Sequence, residues 1–265
     1  MSDIGRVISR HRNNAALSIV ILVFAALLLA CAALLLTVRG HARPDGAAMM
    51  NGSMIGCAVI GLALVGGALL MRRTYWVLGE EGVARHGGRG TESWRFDRIA
   101  ETCQFYRAGL PVGLAWRGEG DQAWGAVNAH LSGYRKFHDA LERAYLNARL
   151  PRLIAELERG HTLEFKVLTQ LGQAQRDMAT GIRAYLRAST AKAVRISLTA
   201  VTLQGREVPF ADVVEMDLTQ WTSRLRLHLR DGTRVELDYQ VLFDATLVMA
   251  LIGALIPVRG VREAA

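Results

Sequence analysis

The sequence predicts a two-helix membrane hairpin followed by an α+β part, built from two tandem antiparallel-sheet domains that are each closed by a C-terminal helix. Three observations lead there. Residues Ala16 to Val38 run for 23 positions without a charged side chain, and residues 54–71 repeat the pattern. A long polar chain follows only after the second run. Within it, short alternating strands give way to an apolar helical stripe, and they do so twice.

The hairpin comes first. A helix rises about 1.5 Å per residue, so the first run outreaches a hydrocarbon core of roughly 30 Å. The second run has 18 residues, and Met49 and Met50 extend it. Both are rich in Leu, Ala, Ile and Val, which suit the bilayer centre. A buried core helix rarely lacks charge on every face for so long. Arg6, Arg10 and Arg12 precede the first span, and Arg72 and Arg73 follow the second. The connecting loop holds Arg39 and Arg43 against Asp45. This balance predicts both termini in the cytoplasm. A competing reading takes Leu28-Leu29-Ala30-Cys31 as a lipid-attachment box behind a signal peptide. Apolar residues continue from Ala32 to Val38, however, where a mature lipoprotein turns polar. Neither span carries an ionisable Asp, Glu, Lys, Arg or His, which argues against an ion or proton pathway. Ser53, Cys57 and Gly61 recur every four positions, and Gly52 and Gly56 form a G-x-x-x-G. Such smooth faces serve either packing within the hairpin or a homo-oligomer.

The predicted organisation is a cytoplasmic segment (1–15), the hairpin (16–73), a first domain (74–150), a linker helix (151–160) and a second domain (161–265). In the first domain, strands are expected at 75–78, 83–86, 92–96, 100–107, 112–117 and 122–128, separated by Gly- and Pro-containing turns. Phe137, Leu141, Tyr145 and Ala148 then keep helical spacing, with Ser132 as the expected cap. Pro151 suits the first position of a new helix ending at Gly160. In the second domain, strands are expected at 161–168, 193–198, 201–203, 213–218, 224–229 and 233–238, with Asp231-Gly232 as a hairpin turn. An apolar helix, Val241 to Ile256, closes the chain. Ser93 through Ile99 answers to Glu207 through Val213: a strand end, a Phe, a nearby acid and a β-branched residue opening the next strand. That is an internal repeat with a period of about 114 residues.

Tyr75-Trp76-Val77-Leu78, Glu81-Gly82-Val83 and Trp94 through Ile99 resemble bacterial membrane-anchored pleckstrin-homology-like (PH-like) proteins with tandem domains. The second copy carries Ile196-Ser197-Leu198, Ala200-Val201 and Phe210 through Val214, and lacks the Trp. The resemblance implies curved antiparallel sheets plugged by a helix, at a bacterial inner membrane. It implies no activity.

No catalytic or metal motif stands out. The seven histidines are scattered and the three cysteines lack zinc or disulfide spacing. The chain predicts no cofactor. One charge feature is conspicuous. Between Phe165 and Arg206 lie seven Lys or Arg, opposed only by Asp177, a local +6. A helix over Leu171–Ser189 is expected, with Arg176, Arg183 and Arg187 on one face and Leu171, Ile182 and Leu186 on the other. Arg176, Arg183, Arg187 and Lys192 are the candidate residues for anionic lipid headgroups or an acidic protein partner; the bland alternative is a solvated helix face. Nucleic acid is disfavoured, because aromatics do not interleave with the basic residues. The expected function is a non-catalytic membrane-anchored interaction or scaffold module. The alternative is a membrane-bound enzyme or lipid-handling protein with a site between the sheets.

Overall fold

The computed structural model describes residues 3–39, 44–88, 90–107, 110–120, 123–177, 186–219 and 224–256. Helices α1 (Ala15–Val38) and α2 (Pro44–Arg73) pack along each other. Both are long and apolar enough to cross a membrane, yet only 11 % of each apolar window is buried. Phe24, Leu27, Leu34, Val59 and Leu62 are all more than half exposed. A core helix of a soluble domain would have these covered. Helix α1 continues through Cys31 to Val38 without a break. Ala25 and Ala68 are fully covered where the helices meet. A Cβ at Gly61 would come within 2.9 Å of Leu29 Cγ and 3.3 Å of the Ala25 carbonyl oxygen. Gly61 therefore serves contact within the hairpin. Gly52 and Gly56 face open space.

The segment before α1 is a strand. β1 (Val7–Arg12) pairs antiparallel with β2 (Tyr75–Gly79), so Arg12 stands opposite Tyr75 and His11 opposite Trp76. Ile4, just ahead of β1, is 1 % exposed. It lies so close over β2 that a Cβ on Gly79 would fall 2.1 Å from its carbonyl oxygen. Backbone bonds from Glu80 N to Arg6 O and from Glu81 N to Ile4 O, both 3.0 Å, extend the pairing. The two ends of the hairpin are thus neighbouring strands on one side of it. The basic residues read as a flank also do local work. Arg6 pairs with Glu80 at 2.7 Å, and Arg12 lies over the Tyr75 ring.

β1 and β2 continue through β3 (Gly82–Gly87) and β4 (Gly90–Arg95) as a four-stranded antiparallel sheet in chain order. A three-stranded sheet follows: β5 (Ile99–Arg107), β6 (Leu110–Gly118) and β7 (Gly125–Asn128). Helix α3 (Tyr134–Glu158) ends this half. The second half repeats the order. β8 (Leu163–Leu168), β9 (Thr190–Ile196), β10 (Ala200–Leu203) and β11 (Arg206–Pro209) form a four-stranded sheet. β12 (Val213–Thr219), β13 (Arg224–Leu229) and β14 (Arg234–Asp238) form a three-stranded one. Between β8 and β9 sits α4 (Gln170–Asp177), and the half ends in α5 (Ala245–Leu255).

The repeat extends to single hydrogen bonds. Phe96 and Phe210 each open a 3-10 turn between the two sheets of their half, and each is 2 % exposed. Phe96 N donates to Glu81 O and Phe210 N to Thr199 O, both at 2.9 Å and both across the same pair of turns. Glu119 N to Arg98 O and Arg230 N to Asp212 O match as well, again at 2.9 Å. A register irregularity follows Ile99 in one half and Val213 in the other. The corner needs an apolar plug whose backbone still reaches the neighbouring turn, and phenylalanine supplies both. Truncating Phe210 to Ala should cost about 3–5 kcal/mol, read from the thermal or urea midpoint of the detergent-solubilised protein. A shift under about 1 kcal/mol would mean that the corner collapses around the cavity.

Trp76, Trp94 and Trp116 meet edge-on or tilted in the first core, with ring centroids 5.2–5.9 Å apart, and Phe137 of α3 joins them. In the second half Val208 and Val194 are buried, with no tryptophan among the described residues there. Helices α3 and α5 pack on each other, and one buried core runs through both halves.

Helices α3 and α5 also differ from expectation. Helix α3 does not stop for Pro151 but passes through it to Glu158, so residues 151–158 continue α3 rather than start a linker helix. Pro151 loses one backbone bond, but Leu141 and Tyr145 before it and Leu153 and Leu157 after it are all buried, which holds the helix together. Ser132 does not cap α3; Gly133 does, in the left-handed conformation at φ 69°. At the C-terminal end, α5 begins only at Ala245, because Asp244 is itself left-handed at φ 54°. Pro257 lies outside the described residues.

Candidate functional site

Among the described residues, Arg176, Arg187 and Lys192 lie on different segments. Arg176 is in the last turn of α4 and is half-buried. Arg183 lies outside the described residues. Arg187 is exposed. Lys192 is on β9 and pairs with Glu164 at 2.8 Å, which Arg195 also reaches at 3.2 Å. The expected continuous helix over Leu171–Ser189 is absent. It would separate residues 172 and 189 by about 25 Å. Instead a Cβ on Gly172 would sit 2.0 Å from the Ser189 carbonyl oxygen. Thr169 N donates to Ser189 O at 3.0 Å, and Ser189 N donates to Gln175 Oε1 at 2.9 Å. The chain returns on itself between β8 and β9, so Arg176 and Arg187 do not share one helix.

Arg187 lines a cavity of about 690 Å³. One wall is the end of α2, with Leu70, Met71 and then Thr74. Trp76, Val127 and Leu131 give it an apolar lining and are themselves nearly fully buried. Arg85 on β3 and Trp124 before β7 are also part of the lining. Its remaining polar groups are Asn13 and Asn128. The rim is built firmly. Asn13 Nδ2 donates to Met71 O at 3.1 Å, tying the start of one span to the end of the other. Asn14 Oδ1 accepts from Ala16 N at 3.0 Å and caps α1. Asn14 N donates to His130 O at 2.7 Å, and Ser132 N to Arg12 O at 2.8 Å. Arg85 approaches Glu92 only at 3.7 Å, with both side chains about half exposed. Arg117 stacks over the Trp124 ring at 5.1 Å.

A second polar cluster joins the halves. Asp244, ahead of α5, accepts through Oδ1 from Thr102 N at 2.7 Å, Thr102 Oγ1 at 3.0 Å and the Tyr145 hydroxyl at 3.0 Å. Asp244 N donates back to Thr102 O at 2.9 Å, and Phe243 N donates to Lys166 O at 2.9 Å. Burial pushes the Asp244 carboxyl up to about 6, against the pull of its hydrogen bonds from Thr102 and Tyr145. Burial, reinforced by the nearby Asp244, raises the Tyr145 hydroxyl well above its ordinary range, so it stays protonated and donates. Two residues along β5, Gln104 donates to Glu142, which also accepts from Thr246 Oγ1 at 2.8 Å. Glu101 is paired with Lys166 and with Arg117, the latter at 2.7 Å. A smaller cavity of about 230 Å³ borders this seam, lined in part by Glu101, Lys166, Lys192 and Asp244.

Among the described residues no group of three or more His, Cys, Asp or Glu is placed to hold a metal. The larger cavity presents guanidinium, amide and hydroxyl groups, a set that holds an anion rather than moves a proton. Sequence reasoning found Arg187 but not its company, since Arg85, Asn13 and Trp124 come from distant strands and loops. It missed Asp244 altogether. The signal was there: a lone acid inside the apolar run from Val241 to Val248. No protein-family model matches the chain, and no curated protein matches it in sequence.

Proposed function

We propose that the protein is a non-catalytic, membrane-anchored interaction or scaffold module. Its tandem PH-like domains, near 74–150 and 161–265, stand on the cytoplasmic face of a bacterial inner membrane and engage anionic lipid headgroups or an acidic protein partner. One observation carries this reading. Strands β1 and β2 lie side by side at the two ends of the hairpin, so the first domain is mounted on the spans without a linker. Such mounting serves to present a surface at a set height above a bilayer. The basic balance of the flanks supports the cytoplasmic side. The 4 + 3 strand order with its following helix, seen twice, supports the PH-like reading.

A cysteine-free variant carrying Glu207→Cys, an exposed position on β11, tests the placement. An impermeant maleimide should label it only after the cells are broken. Labelling in intact spheroplasts would put the domains outside and reject the proposal. The second reading, a lipid-handling protein or membrane-bound enzyme with a site between the sheets, is favoured by the cavity of about 690 Å³. Its lining supports the binding half of that reading more than the chemical half.

A further inference from the structure

The β1–β2 connection of the first half carries the membrane hairpin, and the equivalent β8–β9 connection of the second half carries residues 169–189. Both connections reach the same cavity. Leu70 and Met71 come from the last turn of α2, and Leu186 and Arg187 come from the end of the second connection. The cavity therefore opens where the second span leaves its apolar stretch.

We propose that this cavity binds one anionic phospholipid, with the phosphate held by Arg85 and Arg187 and the acyl chains passing Leu70 and Met71 into the bilayer. The proposal rests on the membrane placement proposed above. Charge complementarity is the first argument. Two arginines from separate elements line the cavity, and no acid lines it among the described residues. Guanidinium stays charged and its forked donors match phosphate oxygens. The Arg85–Glu92 contact, at 3.7 Å between half-exposed groups, is readily exchanged for a phosphate. Continuity with the span is the second argument. Leu70 is 61 % exposed on the same helix that is apolar enough to cross a membrane, so a chain lying against it stays in an apolar medium. Size is the third. A volume of about 690 Å³ falls within the range of ligand pockets, roughly 300–1,000 Å³, and accommodates a headgroup with its glycerol. Trp76 offers the apolar floor that a glycerol backbone packs on.

The test uses the full-length protein in mild detergent. It is incubated with phosphatidylglycerol or phosphatidylcholine and examined by native mass spectrometry. The wild type should retain one phosphatidylglycerol per chain in clear preference to phosphatidylcholine. R85Q/R187Q should weaken that retention by about tenfold or more, since each arginine near an anionic headgroup contributes roughly fivefold. R206Q/R234Q, equally basic but outside the cavity, should leave it unchanged. Equal retention of both lipids, no effect of R85Q/R187Q, or an equal loss in R206Q/R234Q would overturn the proposal. So would glycerol 3-phosphate binding as tightly as the lipid. A glutamate-rich peptide that outcompetes phosphatidylglycerol would transfer the site to a protein partner and overturn it too. Carbonate extraction of membranes separates the two levels of failure. Protein that resists extraction yet retains no phosphatidylglycerol rejects this site alone, whereas protein that is extracted rejects the membrane placement with it.

Discussion

Deleting residues 3–12 is expected to unfold the first half of the protein. Those residues read as a tail before the first span, but they supply the edge strand of the first sheet and a deeply buried side chain beside it. Ile4 is 1 % exposed and packs with Val77 and Ala84. Losing a buried isoleucine alone costs about 2–5 kcal/mol. The deletion also strips the pairing from Val7↔Gly79 to Arg12↔Tyr75, and it removes His11, which meets the Phe137 ring edge-on and bonds the Ser132 carbonyl. The sum exceeds about 5 kcal/mol, comparable with the whole stability of a typical domain. Limited proteolysis should then cut within residues 75–128 while leaving 186–256 protected. A deletion variant with wild-type melting would show that the strand is dispensable. A fragment starting at residue 72 lacks the same strand, so lipid-binding measurements need the full chain.

Replacing Asp244 should be nearly as damaging, and in a pH-dependent way. Asp244→Ala leaves the Thr102 amide, the Thr102 hydroxyl and the Tyr145 hydroxyl without their acceptor in a buried place. At roughly 1–3 kcal/mol per stranded donor, the loss near pH 5 comes to about 3–9 kcal/mol. Asp244→Asn keeps an acceptor oxygen and removes the charge. The wild-type carboxyl is raised from 3.8 to about 6 by burial, so the folded state holds its proton more tightly than the unfolded state does. This group's contribution is full below pH 4, falls as the pH rises towards 6, and is gone above it. The change is about 3 kcal/mol for a shift of roughly two units. Melting measured from pH 4 to pH 8 should show that decline in the wild type, and Asp244→Asn should flatten it. Parallel profiles would place the titration on another group.

What could be read from the sequence depended on how local each signal was. The corner around Phe96 and Phe210 was visible because a plug, an acid and a β-branched residue fall within a few positions, and the same positions make the same bonds in both halves. The two long apolar helices were visible because each carries a run without charge on any side. β1 was hidden, since its partner lies beyond the whole hairpin and its arginines also satisfy the rule for membrane flanks. The helix expected over Leu171–Ser189 had a helical pattern but no local sign of the return. The contacts of Thr169 and Gln175 with Ser189 that enforce it are hydrogen bonds at a distance. The larger cavity draws on α2, β3, the segment before β7 and the segment before β9, and no spacing rule links residues so far apart.

The mounting of the hairpin has a mechanical consequence. Two spans that issue from adjacent strands, about 5 Å apart, act as a short stiff lever rather than a tether. Two residues or fewer separate each helix from its strand: Asn13 and Asn14 at one end, Thr74 at the other. A bilayer that thins or thickens obliges such helices to tilt. With no slack between helix and sheet, any tilt of the two helices passes directly to the β-surface.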